Sequence, residues 1–242
     1  MSLIRLNNGS EKAQTVNQEH NLGDIAYTQD GRWFRYCFSD GAVTAGKLVQ
    51  QVANIAAHDN DLVTAAAAVG ATTITVTLGA TAIVKDEYKD GLHYVNDGPG
   101  EGQMFTIGAH PAVAASGSFA VPIVDEDGVR TALTATSECG LMKNPWKDVI
   151  IAPTTPTGAI AGRTCVDVSD NRYFWAQRTG LAAILIDGVV VIGQQVMRSD
   201  GVAGAVEAVD FAGTVEPELI GAVTLLAVAD TEYGLIMMAM AP

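Results

Sequence analysis

Short runs of alternating apolar and polar residues recur along most of this chain. In Gly31-Arg32-Trp33-Phe34-Arg35-Tyr36-Cys37-Phe38-Ser39, one face carries Trp33, Arg35, Cys37 and Ser39. The other carries Phe34, Tyr36 and Phe38, an aromatic stripe that predicts a strand with one buried side. Thr72-Thr73-Ile74-Thr75-Val76-Thr77-Leu78 alternates strictly and is rich in β-branched residues, the clearest strand signal in the chain. Further strand-sized runs lie at residues 91–98, 102–107, 118–124, 128–135, 161–168, 172–177, 181–186, 189–196, 219–227 and 232–238. Breaks rich in Gly and Asp separate them, and no amphipathic pattern lasts long enough for a major helix. The expected fold class is all-β, a barrel or sandwich.

One pattern occurs twice. Asp40-Gly41-Ala42-Val43-Thr44-Ala45-Gly46-Lys47-Leu48-Val49 and Asp187-Gly188-Val189-Val190-Val191-Ile192-Gly193-Gln194-Gln195-Val196 both read D-G-x-V-x-x-G-x-x-V. Each follows an apolar run. The physical content is a strand, a tight Asp-Gly turn, a short extended piece, a second glycine allowing a bend, and another strand. Residues 30–52 and 181–197 are therefore expected to do similar geometric work in one β module.

The stretch between the copies has a different character. Residues 62–69 suit a short helix or an extended run, and Asn96-Asp97-Gly98-Pro99-Gly100-Glu101-Gly102 reads as a turn between two strands. We expect a β subdomain at 57–145, inserted into a main module built from 30–56 and 146–242. Residues 1–29 begin with a polar stretch lacking periodicity, read either as a frayed tail or as an extended N-terminal arm that orders against a neighbour.

Composition narrows the function. With 14 Lys+Arg against 27 Asp+Glu, the net charge is −13, and no basic cluster exists to grip phosphate, so nucleic acid is excluded as a partner. Hydrophobic residues reach 48 % and charged ones only 17 %, greasy enough to suggest apolar surface buried against other subunits. The polar start lacks a secretory pattern, and no run approaches the ~18 apolar residues of a membrane span. Folding in a cytoplasm, without membrane, is expected. Cys37, Cys139 and Cys165 are widely spaced and read as buried or half-buried thiols, with no zinc site.

No constellation announces catalysis. Gly98-Pro99-Gly100-Glu101-Gly102-Gln103 lacks the Lys-Ser/Thr and the helix that a phosphate loop needs, and Pro99 removes an amide. Counting from Asp125, the sixth and twelfth positions of a calcium loop are Arg130 and Thr136, the wrong residues. His58-Asp59-Asn60-Asp61 has no second ligand group, and His20, His58, His93 and His110 fall in unrelated contexts. The expectation is no enzyme, with no cofactor, no metal and no catalytic residue.

The run Tyr173-Phe174-Trp175-Ala176-Gln177-Arg178-Thr179-Gly180-Leu181-Ala182-Ala183-Ile184-Leu185, with Ser199-Asp200-Gly201-Val202-Ala203-Gly204-Ala205-Val206, resembles structural proteins encoded among tailed-phage head genes. So do Phe34-Arg35-Tyr36, Gly46-Lys47-Leu48-Val49-Gln50, Gly70-Ala71-Thr72-Thr73-Ile74 and Val228-Ala229-Asp230-Thr231-Glu232-Tyr233, which extends the likeness over residues 30–238. The resemblance implies a capsid decoration, or cement, protein: a homotrimer bound to the major capsid protein on the virion surface, stabilising the mature shell. A tail, baseplate or head-fibre component is the alternative, and a polysaccharide-degrading or host-binding β protein is a third. The interface candidates are Trp33, Phe34, Tyr36, Tyr173, Phe174 and Trp175, since aromatics dominate interface hot spots but also fill cores.

Overall fold

The computed structural model describes residues 3–7, 9–210, 218–223 and 230–241. Among these, every regular element is a β-strand except a single 3-10 turn at Ser10–Lys12. The chain is all-β. Among the described residues no helix is long and apolar enough to cross a membrane.

Two compact units form. One comprises Met1–Val52 and Pro145–Pro242, the other Ala53–Asn144. In the first, twelve described strands make one sheet. Its axis is Tyr173–Leu185, thirteen residues long. The sequence pattern predicts two strands here, broken at Arg178-Thr179-Gly180. Instead a register shift between Gln177 and Thr179, with Gly180 at φ +84°, absorbs the break as a bulge. Before the bulge this strand pairs with Trp33–Phe38; after it, with Tyr233–Ala239.

Residues near the N-terminus belong to the same sheet, so the expected separate arm is corrected. Ile4–Arg5 pairs parallel to Ile25–Tyr27, which pairs with Trp33–Phe38, and Gln14–Thr15 pairs with Tyr173 and Phe174. A weakly patterned segment can thus be held by backbone hydrogen bonds and a few apolar contacts, with Leu6 and Ala26 packed beside Phe34, Tyr36 and Trp175.

The D-G-x-V-x-x-G-x-x-V copies are geometric equivalents. Ser39 bridges Val149 in parallel where Ile186 bridges Val206, and Val43 and Val190 are both buried. Gly41 and Gly188 each donate a backbone N–H to a distant aspartate, Asp170 and Asp230, at 2.9 Å. Gly46 and Gly193 sit at φ +75° and +82°, where side chains are disfavoured, and lead into strands Leu48–Gln50 and Gln195–Arg198. At Gly46 a Cβ would also lie 2.6 Å from the Tyr233 ring.

The second unit packs its own core around Ile74, Phe105, Ile107, Phe119 and Leu141. Thr73–Thr77 pairs with Ser118–Pro122, while Leu92–Asp97 forms a hairpin with Met104–Thr106 and also pairs with Glu138–Met142. Leu62–Val63 is extended rather than helical. The strand expected at 128–135 is absent; only Leu133 makes a bridge there, to Ala67.

This unit reuses the turn of the first. Ala67, Ile83 and Val113 each make an isolated bridge and are followed three residues later by a left-handed residue: Gly70, Asp86 and Ser116, at φ +83°, +58° and +56°.

Candidate functional site

The six aromatic candidates cluster in the first unit, chiefly as core. Phe34, Tyr36 and Trp175 are buried in one apolar cluster and Phe174 in the next, while Trp33 and Tyr173 are half-buried. Strand register brings them together, Trp175 opposite Tyr36 and Tyr173 opposite Phe38. Tyr36 stacks on Tyr173 at 5.7 Å and lies 4.9 Å from Trp175, with His20 edge-on at 5.1 Å. The Tyr36 hydroxyl accepts the Glu19 backbone N–H at 3.2 Å. These contacts occupy the rings with each other and with the N-terminal segment. Tyr36, Tyr173, Phe174 and Trp175 also line, with His20, a hollow of about 300 Å³.

The acidic loops are engaged in turns. Asp125 accepts the Thr106 N–H at 2.7 Å, Asp127 pairs with Arg130, and Asp61 binds Asn96. Asp187, Asp200, Glu207 and Asp210 line a hollow of about 330 Å³. Burial, with the negative charge of Asp200, Asp187 and Asp210, holds the Glu207 carboxyl above its usual range. Among the described residues no group of three or more His, Cys, Asp or Glu is arranged to hold a metal ion. Cys37 and Cys139 are buried free thiols, each pushed up to about 12, principally by burial; Cys165 is half-buried and raised for the same first reason.

The histidines of the second unit are structural. His58 holds Tyr88 by Nδ1 at 2.9 Å and faces the Thr81 carbonyl with Nε2 at 2.8 Å, so Nε2 carries the proton. His110 Nε2 accepts the Tyr88 backbone N–H at 3.0 Å, leaving the proton on Nδ1. His93 is fully buried, and among the described residues neither ring nitrogen has a hydrogen-bond partner.

What remains is a face that the aromatic criterion missed. Strand Tyr233–Ala239 alternates exposed and buried side chains: Tyr233, Met237 and Ala239 face out, Ile236 and Met238 face in. Leu181 pairs with Met237, Met237 with Ala222, and Ala222 with Gln195, giving one cross-strand row on the outer face. Ala183 beside Leu235 and Thr179 beside Ala239 extend it. The turn Gly188–Gly193 abuts this sheet through reciprocal hydrogen bonds of Gly193 with Val223 and Val223 with Gln194, each 2.9 Å. The run 189–196, expected as a strand, is strand only from Gln195 onward. Its apolar start is a turn in which Val189, Val191 and Ile192 are 71 %, 54 % and 60 % exposed.

Leu181 and Met237 are each 46 % exposed, and Leu219 and Tyr233 each 50 %. None of the residues in 179–185, 188–193, 219–223 or 233–239 carries a charge. The signal was visible as a charge gap along the chain, but only sheet register reveals that the gaps coincide. Of the expected strand at 219–227, Leu219–Val223 is present and the rest lies outside the described residues.

No protein-family model, curated protein or solved structure matches this chain.

Proposed function

We propose that the chain is a structural subunit of a tailed-phage particle, a decoration protein that binds the outer surface of the capsid through the major capsid protein and stabilises the mature shell. The observation that supports this reading is the exposed, charge-free apolar face of the first unit in a chain of net charge −13. Contiguous apolar surface is unfavourable on a subunit that works alone and is useful on one that spends its life against other proteins. An acidic exterior suits a position away from packaged nucleic acid.

The mechanism is linkage. A subunit that binds the assembled shell and not its dissociated parts stabilises the shell by RT ln(1 + [L]/Kd), about 2.7 kcal/mol at a hundredfold excess over Kd. Repetition over many sites adds to the effect. No chemical step is involved.

The test compares particles produced with and without the gene. Genome release on heating is expected at a higher temperature when the protein is present, and gel densitometry is expected to give hundreds of copies per particle. Unchanged release temperatures count against cementing. A few tens of copies, or fewer, point instead to a tail, baseplate or head-fibre component.

A further inference from the structure

We infer that the second unit carries an acid-operated latch: Tyr88 is held by the lone pairs of two buried histidines, so that mild acid loosens this unit and not the first. The inference goes beyond the particle reading and does not depend on it. His58, His93 and His110 lie in the second unit and are all buried, whereas His20, in the first, is half-buried. Tyr88 lies in the turn before strand Leu92–Asp97, and its ring is fully buried in the core of the second unit. No member of that core comes from the first unit.

The direction of the hydrogen bonds carries the argument. His110 Nδ1 lies 2.9 Å from the Pro111 carbonyl, which can only accept, and Nε2 takes the Tyr88 backbone N–H at 3.0 Å. A second proton can therefore enter only at Nε2, which already faces a donor that cannot turn. Protonation sets N–H against N–H in a buried place and leaves both without an acceptor. At the other end of the residue the Tyr88 hydroxyl donates to His58 Nδ1, while the Nε2–H of His58 is used on Thr81. A proton on that Nδ1 forces the hydroxyl to accept, and the hydroxyl hydrogen then loses its partner.

The charges around these rings offer no acceptor for a new proton. Asp86 faces His110, but its Oδ1 accepts the His110 backbone N–H at 2.9 Å, and Lys85 and Lys89 act against its charge. Glu87 faces His58 and is bound to Lys143 and to the Val84 N–H, each at 2.9 Å, and Asp59 is the other carboxylate felt by Tyr88. His93 stands opposite Phe105 and Leu141 on the neighbouring strands. Of the ionisable groups on those strands, Glu138 lies opposite Asp97 at the far end and Cys139 is a thiol kept neutral by burial. Burial lowers the His93 pKa to about 4.

An unfolded histidine takes up its proton near 6.5, so a ring that stays neutral in the closed unit shifts opening tenfold per pH unit below that value, about thirtyfold at pH 5. Asp86, held low by the His110 N–H, and Glu87, held low against its burial by Lys143, stay ionised at pH 5. Loosening at that pH is therefore assigned to histidine.

Hydrogen exchange of the full chain, followed peptide by peptide at pH 7 and pH 5 and divided by the intrinsic rate at each pH, reads the opening of each unit. Opening within 53–144 is expected to rise at least about thirtyfold at pH 5, and within 1–52 and 145–242 less than about threefold. His110→Gln supplies the Tyr88 N–H with an acceptor that takes no proton, so it should keep protection at pH 7 and reduce the rise at least about threefold. A rise shared equally by both units, a rise below about threefold in 53–144, or a folded His110→Gln chain that responds like the wild type overturns the inference. If His110→Gln does not fold at pH 7, the wild-type imidazole resonances decide. Rings of His58 and His110 that take up protons only as protection in 53–144 is lost uphold the latch; rings that titrate with protection intact overturn it.

Discussion

The two units share a turn and a strand chemistry but dispose of their apolar and ionisable residues differently. In the second unit, exposed Val63 lies opposite Glu138, and exposed Val84 and Val124 precede Lys85 and Asp125, so apolar surface is interrupted by charge. In the first, exposed Leu181 lies opposite exposed Met237, and residues 179–185 and 233–239 carry no charge. The interiors differ too. The first unit buries charge, with Arg198 2 % and Glu11 3 % exposed, while the second buries His58, His93 and His110. A common backbone device therefore does not dictate a common surface or a common response to solvent. Which unit is affected by a perturbation can be followed separately, because Trp33, Trp146 and Trp175 all lie in the first.

The largest expected effect is at Arg198. Its guanidinium donates to Gln50 Oε1 at 2.5 Å and to the carbonyls of Pro153 and Gly158 at 3.2 Å, with Glu218 at 3.5 Å. Arg198→Met removes these donors and leaves the buried Gln50 oxygen and two carbonyls short of partners. The cost should be about 3–5 kcal/mol, read as a lower urea midpoint by tryptophan fluorescence. A loss below about 1 kcal/mol would mean that the first unit does not depend on its buried cation, and that distinction from the second unit would fall.

His93 tests the other side. It lies between Phe105 and Leu141 in register, fully buried, and burial lowers its pKa to about 4 from 6.5. The native ring stays neutral while an unfolded chain takes up a proton near 6.5. The penalty is thus absent above pH 6.5, grows by about 1.4 kcal/mol per unit as pH falls, and levels off below about 4. Relative to wild type, His93→Leu should gain about 3 kcal/mol between pH 7 and pH 4. Urea unfolding followed by circular dichroism at both pH values, with variant and wild type compared, isolates this residue from His58 and His110. Parallel pH profiles would sink the assignment.

How much of this was legible beforehand depended on the period and on who shares it. Thr73–Thr77 was readable because Ile74 and Val76 face the core while Thr73 and Thr77 are exposed, an alternation that needs no tertiary information. Trp33–Phe38 was half-readable. Phe34 and Tyr36 are buried as their stripe predicts, but Cys37 on the opposite face is buried as well, because a second apolar cluster with Val43, Val49, Val149 and Phe174 packs on that face. The D-G-x-V-x-x-G-x-x-V pair was legible through its glycines. Its relatives at Ile83 and Val113 were not, because Asp86 and Ser116 occupy the left-handed seat and leave no glycine signal. The aromatic candidates drew attention by residue type, whereas the face at Leu181 and Met237 depends on which strands become neighbours, and pairing across more than fifty residues leaves no local trace.

The smallest expected effect separates two ion pairs of similar appearance in sequence. Arg130 pairs with Asp127 at 2.7 Å in the second unit, but the side chains are 75 % and 72 % exposed, so water and salt screen the contact. Arg130→Ala should change stability by no more than about 0.5 kcal/mol. Arg32 meets Glu11 at the longer distance of 3.2 Å in the first unit, yet Glu11 is 3 % exposed and its other oxygen has no partner among the described residues. Arg32 also pairs with Asp30 at 2.8 Å, so its removal disturbs a network as well as stranding a buried carboxylate. Distance alone ranks the Arg130 pair higher; burial reverses the order. Matched urea titrations of Arg130→Ala and Arg32→Ala decide between these criteria, and an Arg130→Ala loss equal to that of Arg32→Ala would show that burial does not set the worth of charge in these two units.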